Sequence, residues 1–151
     1  MKKMTVAPER RKLPGSILFL CGMNAIRSPI AAAFARQMLP SGIFIASAGV
    51  RRGERDPFVD AVLNEAGLSL GEHRPQTLED LADSYFDLVV TLAPEAHHAA
   101  LELTRSAAID VEYWPTADPT VVTGTRQQIL EAYRDTRDHL AGAIRKRFIG
   151  D

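Results

Sequence analysis

Short apolar runs alternate along the chain with segments in which apolar residues recur every three or four positions. The first run, residues 16–20, is continuously apolar after its opening serine, as in a strand that is buried on both faces of a sheet. Further strands are predicted at residues 42–47, 86–91 and 109–114. Strands that alternate with helices favour an α/β fold, in which a parallel, doubly wound sheet lies between two layers of helices.

Proline and glycine mark the boundaries of the first two predicted helices. Ser28-Pro29 predicts an N-cap followed by proline at the first helical position, and Pro40 ends that helix. Asp56-Pro57 repeats the same start, and Gly67 closes the second helix. Each of these helices separates two predicted strands, as a parallel sheet requires.

Capping boxes mark two later helices. The segment Thr77 to Asp80 predicts the start of a short helix, and Thr125 to Gln128 predicts the start of the last one. A further helix is predicted over residues 94–104. The last helix carries one apolar stripe, typical of a helix that packs on a core. The stripe consists of Ile129, Tyr133, Leu140, Ile144 and Phe148.

The length and composition suit one compact domain, and the net charge bears on which partners it binds. The chain has 151 residues, of which 46% are hydrophobic, and we expect a single domain over residues 15–151. A formal net charge of -1 argues against a general nucleic-acid binder. Residues 1–14 are basic and are interpreted as a flexible, solvated tail, with contact to an anionic partner as the alternative.

Two features of the sequence indicate where in the cell the protein works: the apolar run near the N-terminus and the single cysteine. Residues 17–20 form a run far too short for a signal core or a membrane span. One cysteine allows no internal disulfide and no cysteine-rich metal site. We therefore expect a cytoplasmic enzyme.

The loop after the first strand has a composition suited to a tetrahedral anion. This anion loop, residues 21–28, reads CGMNAIRS and leads into a predicted helix. Successive N–H groups of such a loop can converge on one anion, and the helix N-terminus adds positive potential, which favours a thiolate at Cys21. The residues expected to surround the anion are Gly22, Met23, Asn24, Ala25 and Ile26.

Several side chains of the anion loop have a physical reason to be there. The planar fork of Arg27 can meet two oxygens of a tetrahedral oxyanion at once. Ser28 can cap the helix and also donate a hydrogen bond to the thiolate, whereas Gly22 and Asn24 tolerate the left-handed backbone of a tight cradle. The alternative for Cys21 is the common one for a lone cysteine, a small buried hydrophobe.

This pattern, Cys-x-x-Asn-x-x-Arg-Ser-Pro after the first strand, resembles that of the low-molecular-weight protein tyrosine phosphatases. The resemblance extends over residues 16–148. Its further segments are Ser47-Ala-Gly49, Gly67-Leu68, His73-Arg74-Pro75, residues 86–90 and Asp118-Pro119. It implies a three-layer domain of the phosphotyrosine protein phosphatase I type, with a four-stranded parallel sheet flanked by helices, and it implies no metal and no organic cofactor.

The resemblance also implies roles for individual residues. Cys21 matches the nucleophile of the family, and Arg27 matches its phosphate-binding arginine. Ser28 matches the serine that stabilises the thiolate, and Asp118 matches the general acid. His73, in a loop that the family shares, is expected to brace the structure.

Asp118-Pro119 suits a proton donor on general grounds as well. It follows the last predicted strand, at the carboxyl edge of the sheet, where ligands of doubly wound folds bind. Protonating a leaving phenolate, whose conjugate acid has a pKa near 10, accelerates its departure roughly 10²–10⁴-fold. The alternative is that Asp118 only nucleates a turn. Asp56-Pro57 is interpreted as a helix cap because an apolar helical pattern follows it at once.

Three departures from the family pattern concern the substrate. Met23 stands where the family usually has glycine, and residues 50–55 lack the aromatic residue that commonly lines the phosphotyrosine slot. Thr120-Val121 replaces the tyrosines that tyrosine-directed members often carry after the general acid. The loop instead offers three arginines, interpreted as a charged, solvated turn or as a site that attracts acidic substrates. They are Arg51, Arg52 and Arg55.

These observations predict a phosphomonoester hydrolase that acts through a phosphocysteine intermediate, as a protein tyrosine phosphatase does. The expected partners are a phosphorylated protein or a small phosphomonoester, with no nucleic acid and no membrane, and the expected state is a monomer or weak dimer. Residues 113–119 also resemble arsenate reductases of the same fold, but the thioredoxin-coupled ones use additional cysteines that this chain lacks. An arsenate reductase using an external thiol is therefore the first alternative, and a non-catalytic oxyanion or phosphopeptide binder is the second.

Overall fold

Four parallel strands form one sheet in the computed structural model, which describes residues 13–81, 84–105 and 107–150. The strands are β1 Ser16–Cys21, β2 Phe44–Gly49, β3 Leu88–Thr91 and β4 Asp110–Tyr113. Their order across the sheet is β2-β1-β3-β4, and every neighbouring pair is parallel. The predicted α/β fold with a four-stranded parallel sheet is confirmed. The tail predicted over residues 1–14 lies outside the described residues except for its last two.

Four α-helices cover the two faces of this sheet. They are α1 Arg27–Met38, α2 Pro57–Glu65, α3 Pro94–Leu103 and α4 Arg126–Ile144. Side chains of α1, α2 and α4 share one apolar core with one face of the sheet, whereas α3 packs into a second core on the other face. Short 3₁₀ helices occupy Glu79–Leu81 and Pro119–Val121, and a π-helical turn, Arg145–Ile149, extends α4. None of the helices in the described ranges is long and apolar enough to cross a membrane.

The central strand β1 explains where a ligand would bind. Its side chains alternate between the two cores, with Phe19 and Cys21 facing the larger core and Leu18 and Leu20 facing the smaller one. The chain runs from β1 to β2 on one side, whereas β3 pairs with β1 on the other side. The strand order therefore reverses at β1, and in such sheets the crevice at the carboxyl ends of the strands around the reversal is the binding place.

Most predicted boundaries agree with the structure to within two residues. Asp56 accepts a hydrogen bond from the Phe58 amide at 2.9 Å and caps α2 as predicted. Both bonds of the Thr125–Gln128 capping box are present, and a reciprocal pair joins Thr77 and Asp80 ahead of the first 3₁₀ helix. The prediction for β2 was displaced toward the N-terminus, because the strand continues to Gly49, which pairs with Cys21.

Candidate active site

A cavity of about 320 Å³ opens over the anion loop at the carboxyl edge of the sheet. Its lining comes from the loop itself and from the segments that follow β2 and β4. The lining residues of the loop are Cys21, Met23, Ala25, Ile26 and Arg27. Those of the other segments are Gly53, Glu54, Asp56, Asp118 and Thr120. The fold therefore brings the three residues predicted to be catalytic, Cys21, Arg27 and Asp118, to one cavity.

The carbonyl groups of the anion loop are held by the segment after β2. The amides of Val50, Arg51 and Gly53 donate to the carbonyl oxygens of Cys21, Gly22 and Met23, at 3.0, 2.8 and 2.8 Å. The amides of residues 22–26, in contrast, donate no hydrogen bond to any described residue. Since buried N–H groups are rarely left without a partner, this array of free donors in a loop ahead of α1 suits an anion.

Asn24 holds the anion loop in shape. It has a φ of 56° in the left-handed region, and its side chain is fully buried. Its Nδ2 donates to the hydroxyl oxygens of Ser28 and Ser47, both at 2.9 Å, and its Oδ1 accepts from the Gln76 amide at 2.8 Å. The sequence pattern did not assign Ser47 or Gln76 to the site. Ser47 does belong to one of the segments on which the family resemblance rests.

Ser28 faces the sulfur of Cys21 and does not cap the helix. Helix α1 begins at Arg27, its N-cap is Ile26, and no side chain caps it, so the predicted capping role of Ser28 is wrong. The Ser28 hydroxyl lies 3.0 Å from Cys21 Sγ and accepts from Asn24. The hydroxyl also lies 3.3 Å from the carbonyl oxygen of Ala48, to which it can donate its one proton, so the Cys21 sulfur and this carbonyl are the two acceptors within its reach. Pro29 is the third residue of α1, where its missing N–H removes no helical hydrogen bond.

Cys21 is buried but lies at the cavity. Its residue is 2% exposed, and it contributes to the larger core while also lining the cavity. Its side chain therefore has the apolar surroundings of a core cysteine and also a place at the cavity. The cavity and the Ser28 hydroxyl distinguish Cys21 from an ordinary core cysteine.

Gly49 and Gly53 are required beside the loop for space, not for left-handed backbone. Gly22 has no left-handed φ, so the prediction that it supplies such backbone is wrong. A Cβ at Gly22 would meet only the end of the flexible Glu95 side chain, which can move aside. A Cβ at Gly49 would lie 2.6 Å from the Asn24 amide, and one at Gly53 would lie 2.8 Å from Met23 Cβ. These contacts show how closely the segment after β2 packs against the anion loop.

Arg27 and Asp118 both line the cavity and are each held by a hydrogen bond to the segment after β4. Arg27 Nη1 donates to the carbonyl oxygen of Thr116 at 3.0 Å, which orients the guanidinium while its other nitrogens bond no described residue. Asp118 Oδ1 accepts from the Thr120 amide at 2.9 Å and from the Thr120 hydroxyl at 2.7 Å, so Asp118 does cap the second 3₁₀ helix. Asp118 therefore caps a turn and also lines the cavity, so the two alternatives predicted for it from the sequence do not exclude each other.

Asp56 is a further carboxylate at the cavity that the sequence analysis assigned only to capping. Its Oδ2 accepts a hydrogen bond from the Tyr133 hydroxyl of α4 at 2.7 Å. Burial first, and then this hydrogen bond and the negative charges of Asp56 and Asp118, raise the pKa of Tyr133. Tyr133 thus remains a hydrogen-bond donor that holds Asp56 at the cavity wall.

His73 and the three arginines occupy supporting positions. His73 Nε2 lies 3.2 Å from the carbonyl oxygen of Asn24, which confirms its expected bracing role. Burial lowers the pKa of His73, so the neutral ring that donates to this carbonyl prevails near neutral pH. The arginines after β2 each pair with a carboxylate, which favours the charged, solvated turn over a site that attracts acidic substrates. The pairs are Arg51–Glu95, Arg52–Asp80 and Arg55–Asp60.

Comparison with known proteins agrees with this geometry. The family model described as low molecular weight phosphotyrosine protein phosphatase matches residues 16–146. A curated arsenate reductase of Shouchella clausii is 29% identical over 131 residues, covering 86% of this chain and 92% of the relative.

Solved structures share the fold along almost the whole chain. The tyrosine phosphatase AmsI of Erwinia amylovora superposes with a TM-score of 0.74 at 24% identity, covering 91% of this chain and 92% of that one. The YwlE arginine phosphatase of Geobacillus stearothermophilus superposes with a TM-score of 0.71 at 27% identity, covering 87% and 88%.

Proposed function

The chain belongs to the low molecular weight phosphotyrosine protein phosphatase family, and from this premise we propose that it is a cysteine-dependent phosphatase that forms a phosphocysteine intermediate at Cys21. The observation that supports this most is the 3.0 Å approach of the Ser28 hydroxyl to the Cys21 sulfur beneath a cavity with free loop amides. A hydroxyl donor and an array of N–H groups favour a thiolate and a bound phosphoryl dianion together.

In the first step, the Cys21 thiolate attacks the phosphorus atom, the S–P bond forms, and the bond to the leaving group breaks. The loop amides and the guanidinium of Arg27 stabilise charge on the phosphoryl oxygens. Asp118 transfers its proton to the leaving atom, which departs neutral.

In the second step, water attacks the phosphocysteine and Asp118, now a carboxylate, takes a proton from that water. The S–P bond breaks, inorganic phosphate leaves, and the electron pair returns to the sulfur as a thiolate that the Ser28 hydroxyl stabilises. The cycle therefore uses the same carboxyl group first as an acid and then as a base.

Phosphorylated proteins or small phosphorylated compounds are the substrates of this proposal, and the cytoplasm is its proposed location. Charge stabilisation comes from the loop amides and Arg27, so we expect turnover of p-nitrophenyl phosphate to persist in a chelator and to be inhibited by vanadate. A monomer or weak dimer is the proposed state.

Arsenate reduction is the second candidate, favoured by the curated relative from Shouchella clausii. Arsenate is close to phosphate in shape and charge, and the same loop amides would bind it. Reduction to arsenite needs two electrons, and with a single cysteine these must come from an external thiol that is oxidised to its disulfide. A parallel assay of arsenate with glutathione or mycothiol measures this activity beside phosphate release.

The Cys21→Ser variant tests the proposal. We expect loss of p-nitrophenyl phosphate turnover and of the covalent phosphoenzyme trapped by rapid denaturation, because a serine hydroxyl in this setting is not ionised. Phosphate should still raise the unfolding temperature of the variant, which shows that the loop is intact. Turnover near the wild-type rate would remove Cys21 as the nucleophile, and arsenite release above phosphate release in the wild type would favour the second candidate.

A further inference from the structure

Met23 is the exposed side chain of the anion loop. It is 42% exposed, whereas every other residue of the loop is buried or half-buried. Met23 lines the cavity over Cys21, and it belongs to neither of the two apolar cores of the described residues. A single exposed apolar side chain is common on protein surfaces. Packing of the fold, however, does not account for one beside the nucleophile.

Gly53, in the segment after β2, leaves room for Met23. Its φ is not in the left-handed region, so the backbone conformation does not require glycine there. A Cβ at Gly53 would lie 2.8 Å from Met23 Cβ and 3.0 Å from the carbonyl oxygen of Met23. The Gly53 amide donates to that carbonyl oxygen at 2.8 Å. Gly53 therefore fixes the main chain of Met23 and gives its Cβ the space that it needs at the cavity.

The cavity offers a leaving group little other apolar surface. The described residues that line it include no aromatic ring, and its apolar side chains apart from the nucleophile are Met23, Ala25 and Ile26. Ala25 is 9% exposed and Ile26 is half-buried, so Met23 is the most exposed of the three. Contact with the apolar part of a leaving group therefore falls chiefly on Met23.

The methionine side chain suits such a contact. It has three rotatable bonds and a polarizable sulfur, so it can adapt to ligands of different shape and can contact an aromatic ring. Each methylene group that is withdrawn from water favours binding by about a factor of four. A leaving group with a large apolar surface therefore gains more from Met23 than a compact one does.

We propose that Met23 is a specificity residue that contacts the leaving group and favours phosphoryl groups carried on an extended apolar group over those carried on a compact one. The inference rests on the phosphatase function proposed above and deepens it by naming the substrate class. The covalent steps are those already proposed, with Cys21, Arg27 and Asp118 acting on the phosphoryl group.

The test compares 2-naphthyl phosphate with phenyl phosphate, whose leaving groups are similar in acidity but differ by one fused ring. We expect the wild-type kcat/KM for the naphthyl ester to exceed that for the phenyl ester at least about fourfold, since the added contact withdraws the equivalent of one methylene group or more from water. Competitive inhibition by 2-naphthylphosphonate and phenylphosphonate gives the same comparison without bond cleavage. The two inhibition constants should differ in the same direction.

Variants then assign the preference to Met23. Met23→Gln keeps the side-chain length but makes its end polar, and it should lower the naphthyl-to-phenyl ratio of kcat/KM at least about threefold. Met23→Leu keeps an apolar side chain and should keep most of the wild-type ratio. Leu101→Gln makes the same apolar-to-amide change at an exposed position of α3 that does not line the cavity, and it should leave the ratio unchanged.

The apolar group can belong to a small molecule or to a phosphoprotein. Two phosphotyrosine peptides, with leucine or with serine on both sides of the phosphotyrosine, distinguish these sources. A leucine-to-serine ratio of kcat/KM above the naphthyl-to-phenyl ratio assigns the apolar group to a peptide, and a lower one assigns it to a small molecule. In either case Met23→Gln should lower the larger of the two ratios.

The outcomes separate the two proposals. If the wild type hydrolyses p-nitrophenyl phosphate but the naphthyl-to-phenyl ratio is near one, or if Met23→Gln keeps the wild-type ratio, Met23 is not a specificity residue and the phosphatase function stands. If the wild type releases phosphate from none of these compounds, the phosphatase function itself fails, and this inference fails with it.

Discussion

Asn24 shows how much of the site depends on single residues. It combines the left-handed backbone of the anion loop with buried hydrogen bonds to Ser28, Ser47 and the main chain of Gln76. Every buried side-chain nitrogen and oxygen of the described residues has a hydrogen-bond partner. Satisfied networks of this kind fix a unique geometry, because breaking one bond leaves a buried group unpaired. The bond from Asn24 therefore holds the Ser28 oxygen within 3.0 Å of the Cys21 sulfur.

The Asp118→Asn variant, which replaces one carboxyl oxygen by an amide nitrogen, tests whether Asp118 is the proton donor. The amide oxygen can still cap the second 3₁₀ helix, but the side chain has no proton to transfer at neutral pH. For leaving groups that need a proton, we expect kcat to fall roughly 10²–10⁴-fold, as for loss of a general acid. For p-nitrophenyl phosphate, whose leaving group is already stable as an anion, the loss should be much smaller.

The control for this variant is Asp135→Asn, an exposed aspartate of α4 that does not line the cavity over Cys21. It should match the wild type over the whole series of leaving groups. Equal losses across the series for Asp118→Asn would rule out an acid role and leave only the capping role.

One glutamate of α2 forms ion pairs with two arginines of α4. Glu65 at the end of α2 accepts hydrogen bonds from Arg134 at 2.9 Å and from Arg137 at 2.8 Å, both on α4. Arg137 also donates to the carbonyl oxygen of Val62, which satisfies part of the C-terminal end of α2. Asp56, at the start of α2, accepts a hydrogen bond from Tyr133, which precedes Arg134 on α4, so the same interface holds Asp56 at the cavity.

Glu65→Gln tests this interface through its pH dependence. The hydrogen bonds from Arg134, and then those from Arg137, lower the pKa of Glu65 from 4.5 to about 2. A carboxyl with a depressed pKa contributes stability above its unfolded value and loses it as the pH falls toward the folded value. The free energy of unfolding of the wild type should therefore fall between pH 4.5 and 2 more steeply than that of the variant.

Urea unfolding at several pH values measures this difference, with Glu72→Gln as a control that should keep the wild-type slope. The contribution is screened because the Glu65 carboxylate lies near solvent, and we expect added salt to reduce it. Parallel pH profiles for the wild type and Glu65→Gln would show that the ion pairs do not stabilise the contact.

At the scale of the whole molecule, the site is assembled where the carboxyl ends of three strands meet. The anion loop follows β1, Glu54 and Asp56 follow β2, and Asp118 follows β4. The carbonyl of Thr116, which orients Arg27, belongs to a segment whose amide bonds to Leu92 after β3. Binding of an anion should therefore stabilise the entire fold, since its partners are spread over the sheet.

Arg27→Lys tests this coupling between anion binding and global stability. Phosphate at 100 times its Kd should stabilise the wild type by about 2.7 kcal/mol. Lysine keeps the charge but loses the planar fork, so the rise in unfolding temperature with phosphate should be much smaller for the variant. Arg105→Lys, at an exposed position after α3, should respond as the wild type does, and an equal response of all three proteins would show that Arg27 does not bind the anion.

The amino-acid sequence by itself determined the elements and the anion loop. Apolar periodicity, the Asp56 cap, the Thr125–Gln128 capping box and the single cysteine before a helix are local signals. Each acts within a few residues, because helix starts and buried strands depend on neighbouring side chains. The order of the elements then predicted a parallel sheet and a ligand at its carboxyl edge.

The tertiary structure alone decided which distant residues share the site. Asn24 bonds to Gln76 across 52 positions, and Asp56 bonds to Tyr133 across 77 positions. The approach of the Ser28 hydroxyl to Cys21, the need for glycine at Gly49 and the placing of Asp56 and Asp118 at the cavity over Cys21 all follow from such contacts. No local pattern specifies them, because they arise only when the core brings separate segments within reach of one another.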